Sequence, residues 1–203
     1  MKIGFIGAGN MAVVIARYAL KAGNEVVLTA RNADRLAGVV KQLGKGAAAG
    51  TPAEVAASDI VVLTVPWPNI KDALAALPPL NGKILVDVTN PFAELQPKLV
   101  FADLGGRSAS EIVAEYVPAA KLVKAFNTIR AEDFEAGPKR GDARRVLFIS
   151  GAEADSKAKI KALIQSFGFV AVDLGGLVTG GRLQQAGGAL ASGEDYLVAG
   201  EKI

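Results

Sequence analysis

Apolar and polar positions alternate with the period of a strand and then of a helix from the start of the chain. The apolar run Lys2–Ile6 is followed by small residues, and a helical pattern then continues to Gly23. A second apolar run covers residues 25–30 and stops at Arg31. This order predicts a strand, a glycine turn, a helix and a second strand.

The same alternation continues towards the C-terminus. Further strands are predicted near residues 45–49 and at 59–65, 83–88, 121–126, 146–150 and 169–174. The intervening helices are predicted after Thr51, at residues 69–77, from Ser108 to Pro118, and from Asp155 or Ser156 to Phe167. The strand at 59–65 is apolar on both faces, as a central parallel strand is. The sequence therefore predicts an α/β fold of the Rossmann type, with a doubly wound, mostly parallel sheet of about eight strands.

Three segments show a weaker pattern. Residues 92–107 are interpreted as a loop or a short helical piece, and residues 138–145 as a basic connector, for which a solvated turn is favoured over an anion site. Residues 175–203 are rich in glycine, with a weak helix around residues 182–191. We expect one dinucleotide-binding domain over residues 1–203, with a C-terminal extension from about residue 175.

The glycine turn after the first strand has the spacing GxGxxA. Gly7 permits a sharp turn, and Gly9 has no Cβ to block the approach of a pyrophosphate to the main chain. The N–H groups at the start of the following helix, and its dipole, favour an anion there. A glycine turn alone is a weak signal, but here a strand precedes it and a helix follows. We therefore predict dinucleotide contacts across the turn, at Gly7, Ala8, Gly9, Asn10, Met11 and Ala12.

The tip of the second strand indicates which dinucleotide binds. An NAD site places a carboxylate there to bind the ribose 2′-hydroxyl, whereas a 2′-phosphate needs positive charge. This chain offers donor side chains instead, at Thr29, Arg31, Asn32 and Arg35. The arrangement favours NADP. The alternative is that Arg31 and Arg35 are solvated, with Asp34 as a local partner.

Polar or rigid residues also follow the fourth and fifth strands. Thr64, Val65, Pro66 and Trp67 come at the first tip, and Asn90 and Pro91 at the second. Both tips fall at the sheet edge where open α/β folds bind ligands, so we expect them to line the crevice beside the nicotinamide ribose. Ordinary turn chemistry would explain either motif alone.

Composition narrows the chemistry. The 203 residues are 51% apolar and contain neither Cys nor His, which excludes disulfides, thiolate catalysis and the commonest metal ligand. We predict no metal site. The net charge of +3 is mild, and we expect no nucleic-acid partner. The chain begins with a core strand and has no apolar run of 18 residues, so we expect no signal peptide, no membrane association and a cytoplasmic location.

Five strings in order carry a family resemblance: GFIGAGNMA, TARN, TVPW, DVTNP and VKAFNT. Together they resemble the NADPH-dependent deazaflavin reductases, which link NADP to coenzyme F420, and the first domain of membrane-bound metalloreductases. The resemblance spans about residues 1–175. It implies that the nucleotide lies on residues 7–12 and 29–35. It also implies that the nicotinamide meets a deazaflavin or flavin (FMN or FAD) beside Pro66, Trp67, Asn90, Pro91 and Asn127.

The absence of histidine bears on the mechanism. Oxidising an alcohol needs a group that takes the hydroxyl proton, whereas hydride passage between two redox cofactors needs mainly orientation. We therefore expect no catalytic side chain of the acid/base type. A substrate dehydrogenase stays open as an alternative, because the proton could be taken by Lys124, Lys121 or Tyr18.

The sequence favours an NADP-dependent oxidoreductase that moves hydride between NADPH and coenzyme F420 or a flavin. Two other functions stay open: a non-catalytic NADPH-binding module that senses redox state, and a reductase of a small carbonyl or imine compound. The expected partner is a small redox cofactor. A homodimer also stays open, because nothing in the sequence sets the oligomeric state.

Overall fold

The computed structural model of the protein describes residues 1–191, 193 and 195–199. Its strands are β1 (Lys2–Ile6), β2 (Glu25–Thr29), β3 (Ala47–Ala49), β4 (Ile60–Leu63), β5 (Ile84–Asp87), β6 (Phe92–Glu94), β7 (Val100–Phe101), β8 (Lys121–Ala125), β9 (Lys139–Arg140), β10 (Ala143–Gly151), β11 (Val170–Asp173) and β12 (Leu197–Ala199). Its helices are α1 (Asn10–Lys21), α2 (Ala33–Leu43), α3 (Pro52–Ala56), α4 (Ile70–Ala75), α5 (Ala109–Tyr116), α6 (Ala131–Glu135), α7 (Ala154–Ser166) and α8 (Arg182–Gln184). A 3-10 turn (Trp67–Asn69) precedes α4, and a π-helical turn (Leu177–Gly181) precedes α8.

Eight strands form the main sheet in the order β11-β10-β8-β5-β4-β1-β2-β3. All neighbours along this path are parallel except β8 and β10, which are antiparallel. The short strands β9 and β12 pair with β10 outside the path. The predicted Rossmann-type sheet of about eight strands is therefore confirmed.

Helices cover both faces of the sheet. One core contains the apolar sides of α1, α2, α6 and α7, and the other contains those of α3, α4 and α5. The central strands β4 and β5 are buried along their full length. Burial on both faces explains their continuous apolar runs, and it leaves the carboxyl ends of the strands as the open edge of the sheet.

A buried ion pair joins β5 to β8 near this edge. Asp87 and Lys124 are register partners, both side chains are fully buried, and Lys124 Nζ lies 3.2 Å from Asp87 Oδ2. The carboxylate also accepts hydrogen bonds from Ser110 Oγ and from the N–H and hydroxyl of Thr89. Lys124 Nζ donates to the Thr89 carbonyl at 2.9 Å. Because each charge has several partners, the pair is tolerated in the core.

Two predicted connections are wrong. Residues 92–107 contain an antiparallel ribbon, β6 and β7, rather than a plain loop or helical piece. Residues 138–145 are not a simple connector, because β9 and the start of β10 form an antiparallel pair there. Lys139 and Arg140 are exposed, and Arg140 Nη1 lies 3.4 Å from Asp195 Oδ2, while Arg145 is buried and donates to the same oxygen at 2.9 Å.

Helix boundaries also differ from prediction in the second half. Glu153, not Asp155 or Ser156, is the residue before α7. The helix expected at residues 182–191 is only α8, preceded by the π-helical turn. Part of the predicted C-terminal extension, at residues 192, 194 and 200–203, lies outside the described residues. No described helix has the length and apolar character needed to cross a membrane.

The ion pair predicts a stability difference between two lysines on one strand. Lys124→Met would leave Asp87 buried without its counter-charge, and we expect it to lower the free energy of unfolding by about 3–5 kcal/mol. Lys121→Met, at the exposed start of β8, should change it by less than about 0.5 kcal/mol. Urea unfolding followed by circular dichroism measures both values. Equal stabilities for the two variants would contradict the structural role given to Lys124.

Candidate functional site

The glycine turn between β1 and α1 is held against two strand tips. Gly7 has φ of +110°, and its N–H donates to the Thr29 carbonyl at 2.8 Å. A Cβ built on Gly7 would lie 2.8 Å from Thr64 Oγ1. The structure therefore requires glycine here, and it brings the turn, the tip of β2 and the tip of β4 together.

The start of α1 is open to a ligand. Gly9 is the N-cap, no side chain caps the helix, and its first turn carries no acidic residue. By contrast, side chains cap the helices that follow Asn32, Thr51 and Ser108. A Cβ on Gly9 would meet no protein atom within 4 Å. Uncapped N–H groups, the helix dipole and free space suit the pyrophosphate of a dinucleotide.

The tip of β2 presents positive charge beside the turn. Arg31 and Arg35 are exposed, and Arg35 lines a groove of about 340 Å³ together with Ala8 and Asn10. Asn32 has a structural task, because its Oδ1 accepts the Arg35 N–H at 2.8 Å and caps α2. Thr29 is half-buried at the strand end. In the described part of the chain no ion pair joins Asp34 to either arginine, so the guanidinium groups are available to an anion.

The tip of β4 combines a fixed polar group with packing residues. Thr64 Oγ1 donates to the Ile6 carbonyl at 2.9 Å, which ties the end of β4 to the end of β1. Val65 and Trp67 are partly buried and pack on the core beneath α3, α4 and α5. Pro66 is exposed and precedes the 3-10 turn. Part of Trp67 therefore has a packing role, and the rest of its surface faces the open edge.

Asn90 and Asn127 meet at the tips of β5 and β8. Asn90 Nδ2 donates to the Asn127 carbonyl, and Asn127 Nδ2 donates to Asn90 Oδ1, both at 3.0 Å. Asn90 Oδ1 also accepts the Ala186 N–H at 2.9 Å. Pro91 follows, buried. The two asparagines that the sequence placed on separate tips are thus one hydrogen-bonded unit.

A strained residue positions Asn127. Phe126 has φ of +63°, a left-handed conformation that is costly for a bulky side chain. Its ring is buried and stacks on Phe134 with centroids 5.7 Å apart. Packing of the Phe126 ring therefore stabilises the left-handed backbone conformation that brings Asn127 to Asn90.

Sequence reasoning missed Gln184. Gln184 is fully buried, and its Nε2 donates to the Lys124 carbonyl and to Ser150 Oγ. Its main-chain carbonyl accepts from Asn127 Nδ2 at 2.5 Å. The buried oxygens Asn127 Oδ1 and Gln184 Oε1 have no hydrogen-bond partner among the described residues. A lone glutamine in a glycine-rich segment gives no sequence signal, because its partners are about 35 to 60 positions away.

None of the three proton carriers considered from the sequence is free at this edge. The Lys124 ammonium group is engaged in its ion pair with Asp87. Lys121 is at the amino end of β8, about 13 Å from the carboxyl end of that strand. Tyr18 donates to the Phe134 carbonyl and lies about 12 Å along α1 from the glycine turn. Burial raises the pKa of the Tyr18 phenol, with the charge of Arg145 partly opposing it, so this hydroxyl stays protonated at neutral pH.

A cavity of about 400 Å³ lies beside the Asn90–Asn127 pair. Its walls come from Pro91, from the end of β7 and the turn after it, and from the segment around α8. Among the described residues, no group of three or more His, Cys, Asp or Glu side chains could hold a metal ion. The edge thus offers a dinucleotide cradle and a neighbouring cavity.

Comparison with known proteins gives a family match over the first part of the chain. Residues 2–91 match the family described as NADP oxidoreductase coenzyme F420-dependent. The metalloreductase STEAP3 of Rattus norvegicus is 30% identical over 180 residues, which are 88% of this chain. That match covers 34% of STEAP3, so the chain spans about a third of the length of this curated relative. Metalloreductase STEAP2 of Mus musculus is 34% identical over 98 residues, 48% of this chain and 18% of that protein.

Solved structures extend the similarity to the C-terminal half. A hypothetical protein from Sinorhizobium meliloti is 36% identical with a TM-score of 0.88, covering 98% of this chain and 96% of its own. A candidate F420-dependent NADP reductase from an Arthrobacter species is 27% identical with a TM-score of 0.75, covering 87% and 86%. A reductive aminase from Aspergillus terreus, solved with NADPH, is 19% identical with a TM-score of 0.64, covering 92% and 58%; it shares the fold alone.

The two glycines of the turn predict opposite outcomes for one substitution. Gly9→Val should fold normally and lose dinucleotide binding, because the side chain occupies the open space at the start of α1. Gly7→Val should destabilise the protein by about 1–3 kcal/mol, since it combines a positive φ with contact to Thr64. Thermal melting and calorimetric titration with NADPH separate the two effects. Normal NADPH binding by a folded Gly9→Val variant would mean that the phosphate site lies elsewhere.

Proposed function

We propose that the protein is a coenzyme F420-dependent NADP oxidoreductase, the family that residues 2–91 match, and that it transfers hydride between NADPH and a deazaflavin or flavin. The observation that carries the proposal is the juxtaposition at one sheet edge of a dinucleotide cradle, the Asn90–Asn127 pair and a cavity next to that pair. The family supports the NADP-dependent reductase activity. The identity of the acceptor is our proposal.

The preference for NADP is supported by the tip of β2. A 2′-phosphate placed between the glycine turn and α2 would lie near Arg31 and Arg35, whose guanidinium groups suit a phosphate. No carboxylate stands at the strand end, where an NAD site would use one for the ribose 2′-hydroxyl. Asn32 contributes by capping α2, which fixes the backbone at Arg35.

The proposed mechanism assigns binding and orientation to the protein. The start of α1 binds the pyrophosphate, and Thr64 keeps the β4 tip against the turn. We place the nicotinamide beside the Asn90–Asn127 pair, whose side-chain amides are held by each other, by the Ala186 N–H and by the Gln184 carbonyl. When bound, NADPH supplies the hydride, so that no protein side chain has to be oxidised or reduced.

The lack of a free proton carrier favours a cofactor as the acceptor. Reduction of a carbonyl group requires a proton donor at the product oxygen, and the structure leaves Lys124, Lys121 and Tyr18 away from the cradle or already paired. Hydride transfer to a deazaflavin or flavin ring requires instead that the two rings lie within about 3–3.5 Å. The cavity beside Asn90 supports catalysis over a purely NADPH-sensing role, since sensing requires no acceptor site.

Nucleotide specificity is the first test of the proposal. We expect NADPH to bind at least about tenfold more tightly than NADH, which corresponds to about 1.4 kcal/mol. Arg31→Asp should reverse the preference, because a carboxylate repels the 2′-phosphate and accepts from the ribose hydroxyls. Asp34→Asn, one turn away on α2, serves as the matched control and should keep NADPH preferred. Equal calorimetric affinities of the unaltered protein for the two nucleotides would contradict the NADP assignment.

The acceptor is tested by anaerobic oxidation of NADPH, followed at its absorbance band, with coenzyme F420, FMN, FAD and riboflavin in separate reactions. We expect at least one to oxidise NADPH, with no inflection near pH 6.5, since the chain has no histidine. Trp67→Ala should raise KM for the acceptor more than for NADPH. The proposal fails if none of these reacts while a carbonyl or imine compound oxidises NADPH readily.

A further inference from the structure

We call the cavity beside the Asn90–Asn127 pair the acceptor cavity. The residues that line it indicate which kind of ligand it binds. Its volume of about 400 Å³ is within the range of small-molecule sites. Phe101 and Leu104 border it on one side, and Ala186 and Gly187 on the other. The Ala186 N–H donates to Asn90 Oδ1, so one wall of the cavity is tied directly to the asparagine pair.

The apolar walls are fixed by close packing. The Phe101 ring lies 5.7 Å from the Phe92 ring across the β6–β7 ribbon. A Cβ on Gly188 would lie 2.1 Å from the Arg182 carbonyl oxygen, so the turn after α8 closes too tightly for any side chain there. The Gln185 side chain holds this turn on α5 by accepting the Ala109 N–H at 2.7 Å. Phe101 is 48% exposed and so offers an aromatic face on which a flat ring can stack.

Two guanidinium groups line the same cavity. They belong to Arg107, which precedes α5, and to Arg182, the first residue of α8. Arg107 Nη1 is held by Glu115 at 2.5 Å, which occupies one of its five N–H donors. Arg182 forms no ion pair or side-chain hydrogen bond among the described residues. The lining also carries one carboxylate, Asp103, whose Oδ1 accepts the Gly105 N–H at 2.9 Å, so in the described part of the chain Arg182 is the lining arginine without a charged partner.

We infer that the acceptor cavity takes a ring of the flavin or deazaflavin type that carries a phosphate group, with the phosphate bound by Arg107 and Arg182. Arginine pairs bind phosphate through charge-assisted and bidentate hydrogen bonds, and an uncharged ribityl chain would leave both groups unused. The inference rests on the proposed function and adds to it a chemical requirement on the acceptor. FMN and coenzyme F420 meet this requirement, whereas riboflavin does not.

The test compares two pairs of ligands that differ by the phosphate-bearing tail. FMN is compared with riboflavin, and coenzyme F420 with its chromophore lacking the phosphate tail, by fluorescence titration of the NADP-bound protein. We expect the phosphorylated member to bind at least about tenfold more tightly in at least one pair, and the pair that shows this identifies the ring. Arg182→Leu and Arg107→Leu should each reduce that ratio by about fivefold or more, and Arg182→Lys, which keeps the charge but loses the planar fork, should reduce it less than Arg182→Leu. Lys159→Leu, on the exposed side of α7, is the matched control and should leave the ratio unchanged.

The outcomes separate this inference from the proposed function. If NADPH reduces the phosphorylated and unphosphorylated acceptors with equal kcat/KM and equal affinity, the phosphate requirement is wrong while hydride transfer stands. If the preference exists but survives both leucine substitutions in proteins that melt normally, the phosphate binds elsewhere and the assignment fails. If phosphorylated rings bind selectively without being reduced, the site is correct and the proposed transfer is wrong. Absence of binding by all four ligands overturns both.

Discussion

The buried pair of Asp87 and Lys124 is the interaction on which the functional edge depends. It joins the last residue of β5 to the last but one of β8, so the register of the two strands is fixed where the chain leaves the sheet. Asn90 and Asn127 follow these positions by three residues each and can therefore meet. The carbonyl of Lys124 also accepts from Gln184, which attaches the C-terminal segment to the same network. A buried charge pair without such partners would be a cost to stability rather than a support.

Backbone groups and side chains make different contributions to the site. The glycine turn and the uncapped start of α1 provide the backbone groups that a pyrophosphate needs, and the tip of β2 provides positive charge. The asparagine pair and the acceptor cavity lie further along the same edge, beyond β4 and β5. Nothing in this arrangement has to move a proton to or from a substrate oxygen. The proposed reaction requires that two rings be held in a fixed relative placement, and close packing and strain at Phe126 accompany the site.

The sequence predicted those elements whose structure depends only on neighbouring residues. The glycine turn needs only neighbouring residues, and the capping boxes at Thr51 and Ser108 are complete within four residues. The β6–β7 ribbon and the pairing of β9 with β10 were missed because their apolar patterns are too short to give a period. Gln184 was missed for a different reason: its partners Lys124 and Ser150 come from distant strands. Local motifs are therefore enough to predict a dinucleotide cradle, which stays a prediction, and they indicate little about the acceptor side, which is assembled from segments that are remote in the chain.

The central claim is that hydride passes directly from the nicotinamide to the ring of a second cofactor without a proton carrier from the protein. The most direct measurement uses NADPH with deuterium on the transferred face, a 5-deazaflavin acceptor in ordinary water, and mass spectrometry of the reduced acceptor. The carbon that receives hydride in a 5-deazaflavin does not exchange readily, so the account predicts that the label is retained there in full. Loss of the label to water during turnover, or its appearance in a carbonyl or imine product when the deazaflavin receives none, would contradict the account.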